Sequence, residues 1–133
     1  MTDFTPFDQT SFDQLLRGHA GLLEDSVHDR WVRAQALFEE RAYREAAALL
    51  TELLDDPGEV VHELTDVRLL LARSFYHSAE LNGAIRVATE LLEHDPNEPY
   101  AHLLLGRSLQ RKGRTDEAQP HLRLAELLGG YRS

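Results

Sequence analysis

The stretch from Leu71 to Pro96 recurs as Leu105 to Gly130, and no other feature narrows the possible folds so far. Leu71-Ala72 falls on Leu105-Gly106, Phe75 on Leu109, Ala84 on Ala118, Leu91 on Ala125 and Pro96 on Gly130. A further copy precedes it at a slightly longer offset: Ala34, Leu37, Tyr43, Ala46, Leu50 and Leu53, closing at Pro57-Gly58. The additional residues fall around Glu59 to Leu64, as an early start to the next helix. A unit of this length cannot bury its apolar face alone, so the copies must stack and complete one another's cores.

Each copy reads as two amphipathic helices joined by a tight turn. In the last, from Pro99 to Gly130, Leu103, Leu104 and Leu105 lead on to Leu109, and Gly106 leaves room for a close neighbour. Gly113-Arg114 interrupts the pattern. Thr115 followed by Asp116 and Glu117 then has the form of a cap with acidic residues at a helix N-terminus. Ala118, Leu122, Ala125 and Leu128 recur at helical spacing up to Gly129-Gly130, with Pro120 removing one backbone hydrogen bond on the way. The same reading predicts earlier helices over Ser26 to Glu40, Ala42 to Asp56, Glu59 to His77 and Leu81 to His94.

Bulk properties narrow the chemistry. At 133 residues the chain is one domain-sized unit. It has no Cys, which removes disulfides, zinc–thiolate sites and a thiol nucleophile. A net charge of −9 argues against nucleic acid and anionic membrane as partners. There is no run fit for a transmembrane helix, and the acidic start lacks the basic region of a signal peptide, so a cytoplasmic, bacterial-type protein is expected. No phosphate loop, nucleophile elbow or zinc-protease motif occurs, and no two His residues stand three or four apart to share a helix face as metal ligands. Asp55-Asp56 and Glu39-Glu40 are neighbours that point in different directions on a helix and read as solvated faces. Neither an enzyme nor a cofactor is expected.

The repeated positions resemble the tetratricopeptide repeat, whose pattern is W-x2-L-G-x2-Y, then A-x3-F, then P, at a period of about 34 residues. This chain departs from that pattern at the Trp position, which is Arg30, Arg68 and His102, with Trp31 one residue late. Ala88 stands where a larger apolar residue is usual. The resemblance implies an all-α fold: antiparallel helix-turn-helix repeats, at about 27–60, 65–98 and 99–132, stacked as a short right-handed α-solenoid.

The resemblance also implies a protein-interaction module. The first helix of each pair would line a concave groove that takes a partner's peptide. Projection of those helices places Trp31, Gln35 and Phe38 on the groove, with His28 and Glu39 beside them. The second repeat supplies Arg73, Tyr76 and His77, with Asp66 and Leu69, and the third Tyr100, Arg107 and Arg111, with Leu103 and Gln110. Arginines on adjacent helices, roughly 10 Å apart at ordinary helix spacing, can clamp a carboxylate, so an acidic, aromatic peptide is the expected ligand. Pairing of these arginines with Glu39, Asp66 or the next helix is the competing account. The Lys/Asn/Arg clamp by which some tetratricopeptide co-chaperones hold a terminal carboxylate is not matched, because Trp31, Gln35, Leu70, Tyr100 and Leu104 stand at those places.

Two other surfaces carry expectations. Residues 1–26 lie outside the repeats and mix Phe4, Phe7 and Phe12 with Asp3, Asp8 and Asp13. A short helix over residues 12–24, begun by the capping-box form of Ser11 to Gln14, would cap the first repeat; alternatively the segment would occupy the groove. At the other end, no polar helix follows the last repeat, so the face carrying Leu124, Leu127 and Leu128 is expected to meet a second copy or another chain. A structural subunit that self-associates through its terminal faces is thus the alternative to an adaptor, scaffold or co-chaperone-like protein.

Overall fold

A computed structural model of the chain describes residues 27–55 and 64–131. These form the helices α1 (Val27–Glu39), α2 (Tyr43–Asp55), α3 (Leu64–His77), α4 (Leu81–His94), α5 (Pro99–Arg111) and α6 (Thr115–Gly129). The helix expected over residues 12–24, the cap it would make and the early start of α3 at residues 59–63 lie outside the described residues.

The turns within the three pairs are copies of one another. Arg41, Ala79 and Gly113 follow α1, α3 and α5 with φ of 66°, 63° and 82°. Each turn closes with a left-handed residue bonded to the carbonyl three back and its successor bonded to the carbonyl five back. Arg41 N–H donates to the Phe38 carbonyl and Ala42 N–H to Leu37; Ala79 to Tyr76 and Glu80 to Phe75; Gly113 to Gln110 and Arg114 to Leu109. The offsets from turn to turn are those of the sequence repeat.

Helix starts differ from one expectation. Thr115 is the first residue of α6 rather than its cap. Arg114 precedes it and makes no side-chain cap bond. The tight turn at Gly113 hands Arg114 the capping position, and its side chain lies along the helix to Glu117 at 2.8 Å and 3.0 Å. α5 is capped by a carboxylate instead: Glu98 accepts from the Tyr100 N–H at 3.0 Å, with Pro99 in the first turn where its missing N–H costs nothing.

Small residues set the helix crossings. Ala46, Ala84 and Ala118 open the second helix of each pair and are fully buried, as are Ala34 and Ala72 on the first helices. At the corresponding place on α5 stands Gly106, where a Cβ would lie 2.6 Å from Leu122 Cδ2. One apolar cluster runs from Leu50 and Leu53 through Val67, Leu70 and Leu71 to Val87 and Leu104. A second joins Leu103, Leu105 and Leu109 to Ala118, Leu122 and Ala125. Each buried Leu contributes about 1.5–3 kcal/mol relative to leaving it in water.

Each helix packs on the next, and α3 also touches both α1 and α5. Among the described residues no such contact links α2 with α4 or α4 with α6. The first helices therefore crowd together while the second helices splay, which puts α1, α3 and α5 on the inner side of the stack. No helix among the described residues is long and apolar enough to cross a membrane.

Candidate functional site

The inner side carries a depression of about 330 Å³, lined by Trp31, Gln35, Phe38 and Glu39 of α1, Asp66, Leu69, Leu70 and Arg73 of α3, and Tyr100 of α5. Helical spacing produces this set: Trp31, Gln35 and Phe38 follow one stripe of α1, and Asp66, Leu69 and Arg73 one stripe of α3. Trp31 and Phe38 stand on the edge of the core cluster, half-buried, so their faces belong both to the core and to the depression.

Arg73 is the centre of the arrangement. Its guanidinium carbon lies 4.5 Å from the centre of the Phe38 ring and 5.7 Å from that of Tyr100. Its Nε is shut off from solvent and has no hydrogen-bond partner among the described residues. The rings hold the cation by their quadrupoles and keep it partly dry. Arg73 makes no ion pair with Glu39 or Asp66 among the described residues, while its contact with Tyr100 of α5 is a pairing with the next helix of the kind the competing account names. Burial raises the Tyr100 hydroxyl above its ordinary pKa, with Arg73 and Arg107 pulling the other way.

A second aromatic group continues the face. The His77 ring stacks on Tyr43 at 4.9 Å and meets Phe38 and Tyr76 edge-on at 5.7 Å each. Burial, then Arg73, then Arg111 hold His77 below its ordinary pKa. Arg111 lies 5.0 Å from the Tyr76 ring and donates to the Tyr76 carbonyl at 3.3 Å, which ties α5 to α3. Arg107 is exposed on α5.

The structure thus gathers Trp31, Gln35, Phe38, Arg73 and Tyr100 around one depression, and sets Tyr76, His77 and Arg111 beside it. Leu103 departs from expectation: it is 6% exposed and belongs to the second core cluster, because α5 is buried on three sides at that turn. The charge is also mixed, since Glu39 and Asp66 share the rim with Arg73 while Arg107 and Arg111 stand on α5. Tyr43 and Tyr131 also reach this face, from outside the stripes that helical projection picks out. The Tyr131 ring packs 5.6 Å from Tyr100 after Gly130 reverses the chain at φ 76°. On the outer side, Leu124, Leu127 and Leu128 are 38%, 73% and 43% exposed.

No family model matches this chain, and no curated protein matches it. Solved structures do. Two structures of MamA variants share 25% identity with it, at TM-scores of 0.71 and 0.68, over 92% and 90% of this chain. A third MamA variant shares 24% identity at a TM-score of 0.70. The chain spans 65% of the first of these structures and 83% of the second. The likeness supports an all-α repeat fold, and the six helices fit a tetratricopeptide-like repeat.

Proposed function

We propose that the chain is a three-repeat tetratricopeptide protein whose inner face binds an acidic, aromatic segment of a protein partner, and that it serves as an adaptor or scaffold without enzymatic activity. The observation that carries this reading is Arg73, held between Phe38 and Tyr100 in the depression without a carboxylate of its own among the described residues. A ligand carboxylate beside it would form a charge-assisted bond in a partly dry setting, and the flanking rings offer area at small entropic cost. Arg107 and Arg111 extend the positive side, while Glu39 and Asp66 select against a uniformly acidic ligand and favour acidic residues at one end only.

Panning a display library of random peptides against the intact protein tests this. Enriched peptides should combine Asp or Glu with Phe, Tyr or Trp and should lose binding to the Arg73→Glu, Arg107→Glu double variant. Equal enrichment on intact and double-variant protein would sink the reading. A second reading, self-association through the last repeat, is favoured by Leu127, which is 73% exposed.

A further inference from the structure

His102 and His121 meet inside the α5–α6 pair. His102, in the first turn of α5, is 5% exposed, and His121, in the second turn of α6, is half-buried. Their Nδ1 atoms are 3.1 Å apart, and the rings stack at 5.3 Å with 25° between their planes. The other nitrogen of His102, Nε2, lies 2.7 Å from the Pro96 carbonyl oxygen. A carbonyl can only accept, so Nε2 carries a proton and the neutral His102 ring leaves Nδ1 bare. His121 Nδ1–H must then donate to it. The result is a directed chain from α6 through His102 to the turn between α4 and α5.

Adding protons to this chain has two different effects. The first can enter at His121 Nε2 and leaves the contact intact. The second has to enter at His102 Nδ1, where one N–H would then face another at the 3.1 Å contact. The charged groups on the surrounding elements are engaged or turned outward. On α5, Glu98 accepts from the Tyr100 N–H, and Arg107 is exposed. In the preceding turn Asp95 accepts from the Asn97 N–H, and His94 at the end of α4 is exposed. On α4, Arg86 lies 3.9 Å from Glu90. On α6, Glu117 is held by Arg114, while Arg123 and Glu126 are exposed. Burial first, and then His102, keep the His121 pKa below its ordinary value.

We propose that the His102–His121 pair is a proton-controlled latch: it pins α6 to α5 while a single N–H lies between the two Nδ1 atoms and lets α6 loosen when each Nδ1 carries its own proton. The far end of α6 packs Gly129 closely on Pro99 and places the Tyr131 ring 5.6 Å from Tyr100, a wall of the inner depression. Loosening α6 therefore reaches that wall, although any consequence for a ligand rests on the peptide-binding reading, and the latch itself does not.

The sign follows from the suppressed protonation. Burial and the facing His102 hold the folded His121 below the ordinary His pKa of about 6.5, so the unfolded chain takes up that proton more readily, and protection is full above that pH and is lost as pH falls. The expected slope is about tenfold in the opening equilibrium per pH unit for each excluded proton.

The test uses the full chain without any ligand. Nitrogen-15 shifts of labelled His at neutral pH should show His102 with Nδ1 bare and Nε2 protonated. Hydrogen exchange, corrected for intrinsic rates, should show α5 and α6 losing protection relative to α2 between about pH 7 and pH 5. His121→Phe should remove that excess loss, with His121→Gln as the second variant if Phe is not tolerated. A proton on His102 Nδ1, an equal loss in α2 and α6, or unchanged pH dependence in the variant that folds would each overturn the latch.

Discussion

Ala79 and Gly113 close equivalent turns of successive repeats in the same left-handed conformation, at φ 63° and 82°. Only the second is a glycine. For Ala79 and for Arg41 in the first turn, the Cβ meets the following carbonyl at a cost of about 1–2 kcal/mol. The turn is retained because two backbone bonds and the packed helices on either side over-determine it.

Ala79→Gly and Arg41→Gly should each raise stability by about 0.5–1 kcal/mol, the strain relieved less the entropy that glycine loses on folding. Gly113→Ala should lower it by a similar amount. Urea unfolding of the three variants checks this, and a destabilised Ala79→Gly would show that the turn carries no strain.

Ser74 and Ser108 are a second register pair, both fully buried. Ser74 Oγ donates to the Leu70 carbonyl at 2.8 Å, whereas Ser108 Oγ has no partner among the described residues. A buried hydroxyl without a partner is destabilising, so Ser108→Ala should gain about 1 kcal/mol and Ser74→Ala should be neutral or slightly worse. Equal changes in the two melting temperatures would mean that Ser108 is satisfied in solution.

The α5–α6 crossing is tighter than the others. Gly106→Ala would place a Cβ 2.6 Å from a methyl of Leu122, itself 3% exposed and unable to swing into solvent. Gly106→Ala and Ala118→Leu should each cost about 1–3 kcal/mol by overpacking. Arg114→Ala, at an exposed position in the turn, should change little. Equal melting temperatures for Ala118→Leu and Arg114→Ala would contradict this packing.

Much of the fold is legible in the chain because period and small residues are local, one-dimensional information. Ala46, Ala84 and Ala118 mark the crossings, and the turn residues recur at the same offsets. The stripe that lines the depression also follows from helical geometry once the repeat is known. The rest is set by contacts between helices. Leu103 lies on the same stripe as Arg107 yet is buried, because α4 and α6 flank α5. The His pair does not show at spacings of three and four, since these rings meet from facing helices 19 residues apart. Only a projection of both helices of the hairpin together brings them to one place. Thr115 has the residue type of a cap, but the turn at Gly113 moves the capping position to Arg114.

His77 offers a reading of the inner face that needs no ligand. Burial, Arg73 and Arg111 all disfavour its protonated form, so in the folded chain it should titrate below an ordinary His. Because the unfolded chain takes up that proton more readily, its contribution to stability is present above the ordinary His pKa and is lost as pH falls. Arg73→Gln should raise the His77 pKa, and a ligand carboxylate placed beside Arg73 should do the same. Proton NMR of the ring C–H resonances measures both. A His77 titration unmoved by Arg73→Gln would separate the two groups electrically and undo the geometry described for this face.

Leu127 carries the last prediction. Repeat register places Leu124 and Leu127 on Glu90 and Glu93 of the second repeat, and on Glu52 and Asp55 of the first. All four carboxylates are exposed even though another helix follows in the stack. These positions therefore face outward whether or not a repeat continues, and their leucines do not belong to an unfinished core. Leu127 is 73% exposed, so Leu127→Glu restores the local pattern and should leave stability within about 0.5 kcal/mol of the parent. If the face serves self-association, sedimentation should show a concentration-dependent oligomer for the parent and a smaller species for Leu124→Glu, Leu127→Glu. A parent that stays monomeric at high protein concentration would remove self-association through this face.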